Sequence, residues 1–102
     1  MGTLVYGPTN LEISLEDRVL SHLQIVITTK LRRQESFVFS WRDDPSSGDG
    51  RTSIWLHPSI PLRFKYVGSR PPAINRAWLE ALQASANSVN GLHVIQEPAA
   101  PE

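Results

Sequence analysis

The chain has 102 residues, no cysteine and a formal net charge of zero. That length supports one hydrophobic core and not two. The lack of cysteine excludes a disulfide framework and thiolate metal sites and favours a reducing, cytoplasmic setting, while the neutral balance argues against a strongly steered general nucleic-acid binder. The chain opens without a basic segment leading into an apolar run, and no stretch approaches the ~18 apolar residues of a membrane-spanning helix, so no membrane partner is expected. The charges are unevenly spread. Arg51, Arg63, Lys65, Arg70 and Arg76 all fall between positions 50 and 79, where Asp and Glu are absent.

The first elements are two short β-prone runs, Thr3-Leu4-Val5-Tyr6 and Leu11-Glu12-Ile13-Ser14, separated by the turn formers Gly7-Pro8-Thr9-Asn10. This pattern predicts an antiparallel hairpin. Ser14 followed three residues later by Asp17 resembles a capping box, which predicts a helix over 15–33. In it Val19, Leu20, Leu23, Val26, Ile27 and Leu31 recur at spacings of three and four as one apolar stripe. Lys30, Arg32 and Arg33 complement the helix dipole and are expected in solvent.

Three alternating runs follow: 36–41 with Phe37, Phe39 and Trp41 on one face, 52–57 with Ile54 and Leu56, and 62–66 with Leu62, Phe64 and Tyr66. Consecutive strands of this kind predict an antiparallel meander. The Asp-, Ser- and Gly-rich segment 42–50 is expected to be a mobile hairpin loop. Pro71-Pro72 leads into a second helix over 72–88, with Ile74, Ala77, Trp78, Ala81, Leu82 and Ser85 inward and Asn90-Gly91 as its stop. A last strand, 92–95, closes the sheet.

The expected fold is therefore α+β, a two-layer, mainly antiparallel sheet, open or curled into a half-barrel, carrying two helices in the order ββαβββαβ. Residues 1–97 form a single domain and 98–102 a flexible Pro/Ala tail. Leu23, Ile27, Phe37, Phe39, Ile54, Phe64, Trp78 and Leu82 are the expected core.

The runs 31–37, 53–62 and 68–78, among them Ser53-Ile54-Trp55-Leu56-His57-Pro58 and Gly68-Ser69-Arg70-Pro71-Pro72, resemble a family of short actinobacterial proteins of unknown function. The resemblance covers nearly the whole chain, and members of that family often carry the automatic label "ATP-dependent DNA ligase". Covalent nucleotidyltransferases use a motif Glu-x-Lys-Tyr-Asp-Gly-x-Arg. Here Arg63-Phe64-Lys65-Tyr66-Val67-Gly68-Ser69-Arg70 matches its Lys, Tyr, Gly and Arg, but Arg63 and Val67 replace both carboxylates. A domain of this size also lacks room for the Mg²⁺, ATP and DNA machinery of ligation.

His22, His57 and His93 show no metal-ligand spacing, and the chain has neither a nucleophile elbow nor a phosphate-binding glycine loop. No metal, cofactor or catalytic residue is assigned. The most informative constellation is the outward side of the expected meander, where alternation places Trp55, His57, Arg63 and Lys65 together, with Arg70 in the segment beyond. An aromatic ring beside cations suits a protein hot spot or a stacked, phosphate-bearing strand. The sequence thus predicts a non-catalytic interaction or accessory domain, with a protein partner or a second copy of itself as its target. The alternative is a nucleic-acid-associated protein using the same surface; a ligase-like enzyme ranks third.

Overall fold

The computed structural model describes residues 1–43, 46, 48 and 50–99. Eight elements follow one another: β1 (Gly2–Tyr6), β2 (Leu11–Leu15), α1 (Asp17–Arg32), β3 (Phe37–Arg42), β4 (Arg51–Leu56), β5 (Leu62–Lys65), α2 (Arg76–Ala86) and β6 (Leu92–His93). The class and order are those expected, but the strands divide into two three-stranded sheets, β2-β1-β5 and β4-β3-β6. All pairings are antiparallel except β3 with β6.

The expected meander is corrected at β5, which pairs with β1 (Leu4 opposite Phe64, Tyr6 opposite Leu62) and not with β4. The cause lies in the connection. Pro58 and Pro61 supply no amide hydrogens to extend a hairpin from β4, Ile60 N–H closes a turn onto His57 C=O, and Gly7 N–H donates to the Pro61 carbonyl at 2.9 Å, fastening the start of β5 to the end of β1.

One core joins both sheets. Leu4 and Ile13 come from the first, Phe37, Phe39, Leu56 and Leu92 from the second, and Leu20, Leu23, Val26, Ile27, Trp78, Leu82 and Ala86 from the helices. Helix α1 lies against β1, α2 against β3 and β6, and the helices against each other. The helix pair therefore unites the sheets, and the Tyr6 hydroxyl, donating to the Trp55 carbonyl at 2.5 Å, ties β1 directly to β4. Gly91 makes the entry into β6, with φ of +78° and a hypothetical Cβ 2.6 Å from the Val38 carbonyl oxygen, so a larger residue would both strain the backbone and push β6 off β3.

Several local expectations are corrected. Ser14 sits in β2 and caps nothing; α1 begins at Asp17 after Glu16, which makes no side-chain cap. Asp17 instead accepts the amides of Val67 and Gly68. The second helix begins at Arg76, not 72, because Asn75 is its N-cap and accepts the Trp78 amide; Ile74 is exposed, not inward. Ile54 and Phe64 are half-buried against the core, whereas the other six expected core residues are buried in it.

Lys30, expected in solvent, is buried. Its ammonium meets Asn87 Oδ1 at 2.6 Å and lies 5.6 Å from the centre of the Phe37 ring. The end of α1 is closed by Glu35 N–H to Lys30 C=O and Gln34 N–H to Leu31 C=O, with Gln34 left-handed at φ of 62°, the double reverse bond that satisfies the last helical carbonyls. In the expected loop 42–50, positions 44, 45, 47 and 49 lie outside the described residues, as do 100–102 of the expected tail.

Phe39→Ala should cost about 3–5 kcal/mol, as complete burial implies, and Phe64→Ala clearly less. Urea midpoints of the two variants check this; equal losses would contradict the burial order.

Candidate functional site

A buried imidazole joins the start of α1 to the start of α2. His22 is fully buried on α1. Its Nδ1 lies 2.8 Å from the Arg18 carbonyl, and its Nε2 accepts the Asn75 amide at 2.9 Å. The two contacts assign the hydrogen to Nδ1, since a carbonyl can only accept and an amide can only donate. The ring also lies over Trp78, centroids 4.4 Å apart.

Around it a polar network ties the C-terminal segment to both helices. Arg18 grips Glu97 with two parallel hydrogen bonds, Nε to Oε1 at 2.8 Å and Nη2 to Oε2 at 2.5 Å. Asn75 Nδ2 donates to Glu97 and to the Pro98 carbonyl, and Trp78 Nε1 donates to the Ile95 carbonyl. The hydrogen bonds from Arg18, then from Asn75, hold the Glu97 carboxyl down to about 2, and the same contact raises Arg18.

This network also builds a cleft. Segment 66–75 arches over the solvent side of α1 and is fastened at both feet. At one foot Tyr66 donates its hydroxyl to Gln24 at 2.6 Å, while Val67 and Gly68 amides reach Asp17. At the other, Arg18 Nη1 donates to the Ala73 carbonyl and the Asn75 amide meets His22. The Gly68 amide chiefly keeps the Asp17 carboxyl below its ordinary value, and burial, helped by the Asp17 charge, raises the Tyr66 phenol. Both groups thus stay in the form their hydrogen bonds need.

Between the feet lies a cleft of ≈ 490 Å³, lined by Ser21, Gln24, Ile25 and Thr28 of α1 and by 68–72 and Ile74 of the arch. Its size suits a small ligand or a few residues of a peptide. Ile25 and Ile74 are 38% and 44% exposed, high for their type. Arg70 is exposed with no hydrogen-bond or ion-pair partner among the described residues. The cleft thus offers apolar walls and one uncommitted cation.

Of the five residues singled out in the sequence, only Arg70 lines this cleft. Arg63 and Lys65 stand on the outer side of the first sheet, in register with Val5 and Thr3. Trp55, 53% exposed, stands on the outer side of the second, opposite Val38. The five therefore do not share one face, because β5 left β4. His57 lies just past β4, and its Nδ1 accepts the Ser59 amide, which makes it a turn brace. In the nucleotidyltransferase-like run, Lys65 and Arg70 are likewise separated: the lysine is absent from the cleft that the arginine lines. Among the described residues no three His, Asp or Glu side chains converge as a metal site requires, and no helix is long and apolar enough to cross a membrane.

The cleft was missed because its helical wall, Ser21, Gln24, Ile25 and Thr28, reads as the polar side of an amphipathic helix. The available signal was Ile25, an apolar residue opposite the core stripe.

The fold is thus a single-core α+β domain in which a helix pair joins two small sheets. The chain belongs to the family described as Domain of unknown function (DUF7882), whose family model matches residues 1–97, in keeping with the resemblance to a family of unknown function. No curated protein and no solved structure matches it.

The grip on Glu97 makes stability acid-sensitive. Its folded value lies below the ordinary 4.5, so its contribution is complete above that value and is lost as pH falls from about 4.5 towards 2. Thermal midpoints measured across this range should fall steeply in the wild type and less steeply in Glu97→Gln; Asp17, shifted the same way, supplies a remaining slope. Identical acid limbs would contradict the assignment.

Proposed function

We propose that this domain is a cytoplasmic, non-catalytic binding module that holds an apolar, carboxylate-bearing segment of a partner protein in the cleft between α1 and the 66–75 arch. The observation that carries the reading is the coincidence of exposed Ile25 and Ile74 with an unpartnered Arg70 around one cleft. Exposed branched aliphatic side chains are ordinary when scattered, but grouped in a concavity they favour an apolar occupant. Arg70 offers a planar fork matched to a carboxylate. The arch supports the reading because Pro71 and Pro72 stiffen it and both its feet are bonded to α1, so binding orders little new chain.

Ile74→Asp and Arg70→Glu change only exposed side chains and should leave stability within about 0.5 kcal/mol. In affinity capture from a native cell extract, a partner held by the wild type should be lost by both variants. Retention by both would exclude the cleft. A partner that proves to be a second copy of the chain would show as a concentration-dependent dimer in sedimentation, abolished by the same substitutions.

The ligase-like reading makes a separate demand, a lysine that accepts a nucleotide. Lys65 stands on an outer sheet face and lies outside the cleft. Incubation with labelled ATP and Mg²⁺ should leave no covalent label on the protein; stoichiometric label absent from Lys65→Ala would restore an enzymatic function.

A further inference from the structure

The outer face of the second sheet carries a second constellation, distinct from the cleft. Across the β3–β4 ladder the outward pairs are Val38 with Trp55, Ser40 with Ser53, and Arg42 with Arg51. Trp55 is half exposed, both arginines are exposed, and the two serine hydroxyls are 2.7 Å apart. Neither guanidinium has a hydrogen-bond or ion-pair partner among the described residues. Asp43, which follows Arg42, accepts the Thr52 hydroxyl.

Like charges directly opposite each other on antiparallel strands repel, and the pair weakens the sheet that carries it. A surface aromatic two rows away adds a flat apolar plate, about half of which the fold leaves in solvent. The Trp55 and Arg51 rows are four residues apart on one strand, about 13 Å at the usual rise. A ligand that engages both must be long, carry a ring to stack on Trp55, and carry negative charge well away from that ring.

We infer that this face binds a single-stranded oligonucleotide, one base stacked on Trp55 and the phosphodiester chain running over Ser40 and Ser53 to Arg42 and Arg51. A peptide strand could add only at the free edge of β4, in the plane of the sheet, and would leave the ring and cations that project from its face unused. Ring stacking and charge are what it has to offer, and these are the terms by which single strands are held. Arg63 and Lys65 take no part; the cations come from the neighbouring strand ends. A mononucleotide is too short to span the two rows.

The test is fluorescence anisotropy of a labelled ten-nucleotide single strand titrated with the whole protein at several salt concentrations, with a labelled mononucleotide as comparison. The wild type should bind the oligonucleotide, with a slope of log affinity on log salt of about −1.4 for two phosphate contacts, and should not bind the mononucleotide measurably. Trp55→Ala should weaken binding by about 5- to 150-fold, the span of base–aromatic stacking. Arg42→Ala with Arg51→Ala should flatten the salt slope while the thermal midpoint holds or rises, because repulsion is relieved.

The inference is overturned by no binding at low salt, by binding that neither variant alters, by equal binding of the mononucleotide, or by a concentration-dependent dimer that Trp55→Ala abolishes and the oligonucleotide does not affect. The last result would make the face a protein interface. None of these substitutions touches the cleft, so the outcome is independent of the partner proposed for it.

Discussion

The hydrogen bond from the Asn75 amide to the buried His22 ring is the constraint on which the rest of the site depends. A histidine inside an apolar core requires partners for both nitrogens, because an unsatisfied polar atom there costs about 1–3 kcal/mol. The Arg18 carbonyl satisfies one; the other is satisfied by the return of the chain to α1 at the start of the second helix. That return fixes Asn75 as the N-cap, seats Trp78 beside the imidazole and brings the arch across the outer surface of α1. The tail is captured in the same step, since Asn75 also holds Glu97 and Pro98.

A second tie matches the first at the far end of the helices, where the Lys30 ammonium meets the C-cap Asn87. With His22 joined to one end of α2 and Lys30 to the other, the two helices run in the same sense. The burial of Lys30 is tolerable because its charge keeps an amide oxygen, a carboxylate 3.4 Å away and an aromatic face. Two polar ties thus set the helix alignment, while the apolar stripes supply the bulk of the burial.

The proposed binding surfaces sit where this scaffold is most constrained and least self-satisfied. The arch is held by four α1 side chains yet leaves Arg70 uncommitted; the β3–β4 ladder is regular yet opposes two arginines. In both places the fold tolerates charge or exposed apolar surface that its own stability does not need. Rigid support beneath unsatisfied groups is what a recognition surface requires.

The periodicities were sufficient to determine the elements: alternation at 37–41 and 54–56 and three-four spacing from Leu20 to Ile27 express which side chains must leave water, and this is local information. They also placed Trp55 correctly on an outward face. They did not determine which strand β5 would join, because alternation says which face is buried and not which neighbour supplies the hydrogen bonds. That choice followed from two prolines and the Gly7 amide, residues far apart in sequence. Once β5 moved to β1, Arg63 and Lys65 parted from Trp55, and the surface expected from the sequence was divided between two sheets. Ser14 and Pro72 misled for a related reason: capping and helix-entry signals are short-range preferences, overridden when Asp17 was drawn to the Val67 and Gly68 amides and Asn75 to His22. Composition and pattern alone determined a one-core α+β chain; the tertiary contacts of a few polar groups decided where its exposed cations and aromatic surface would meet.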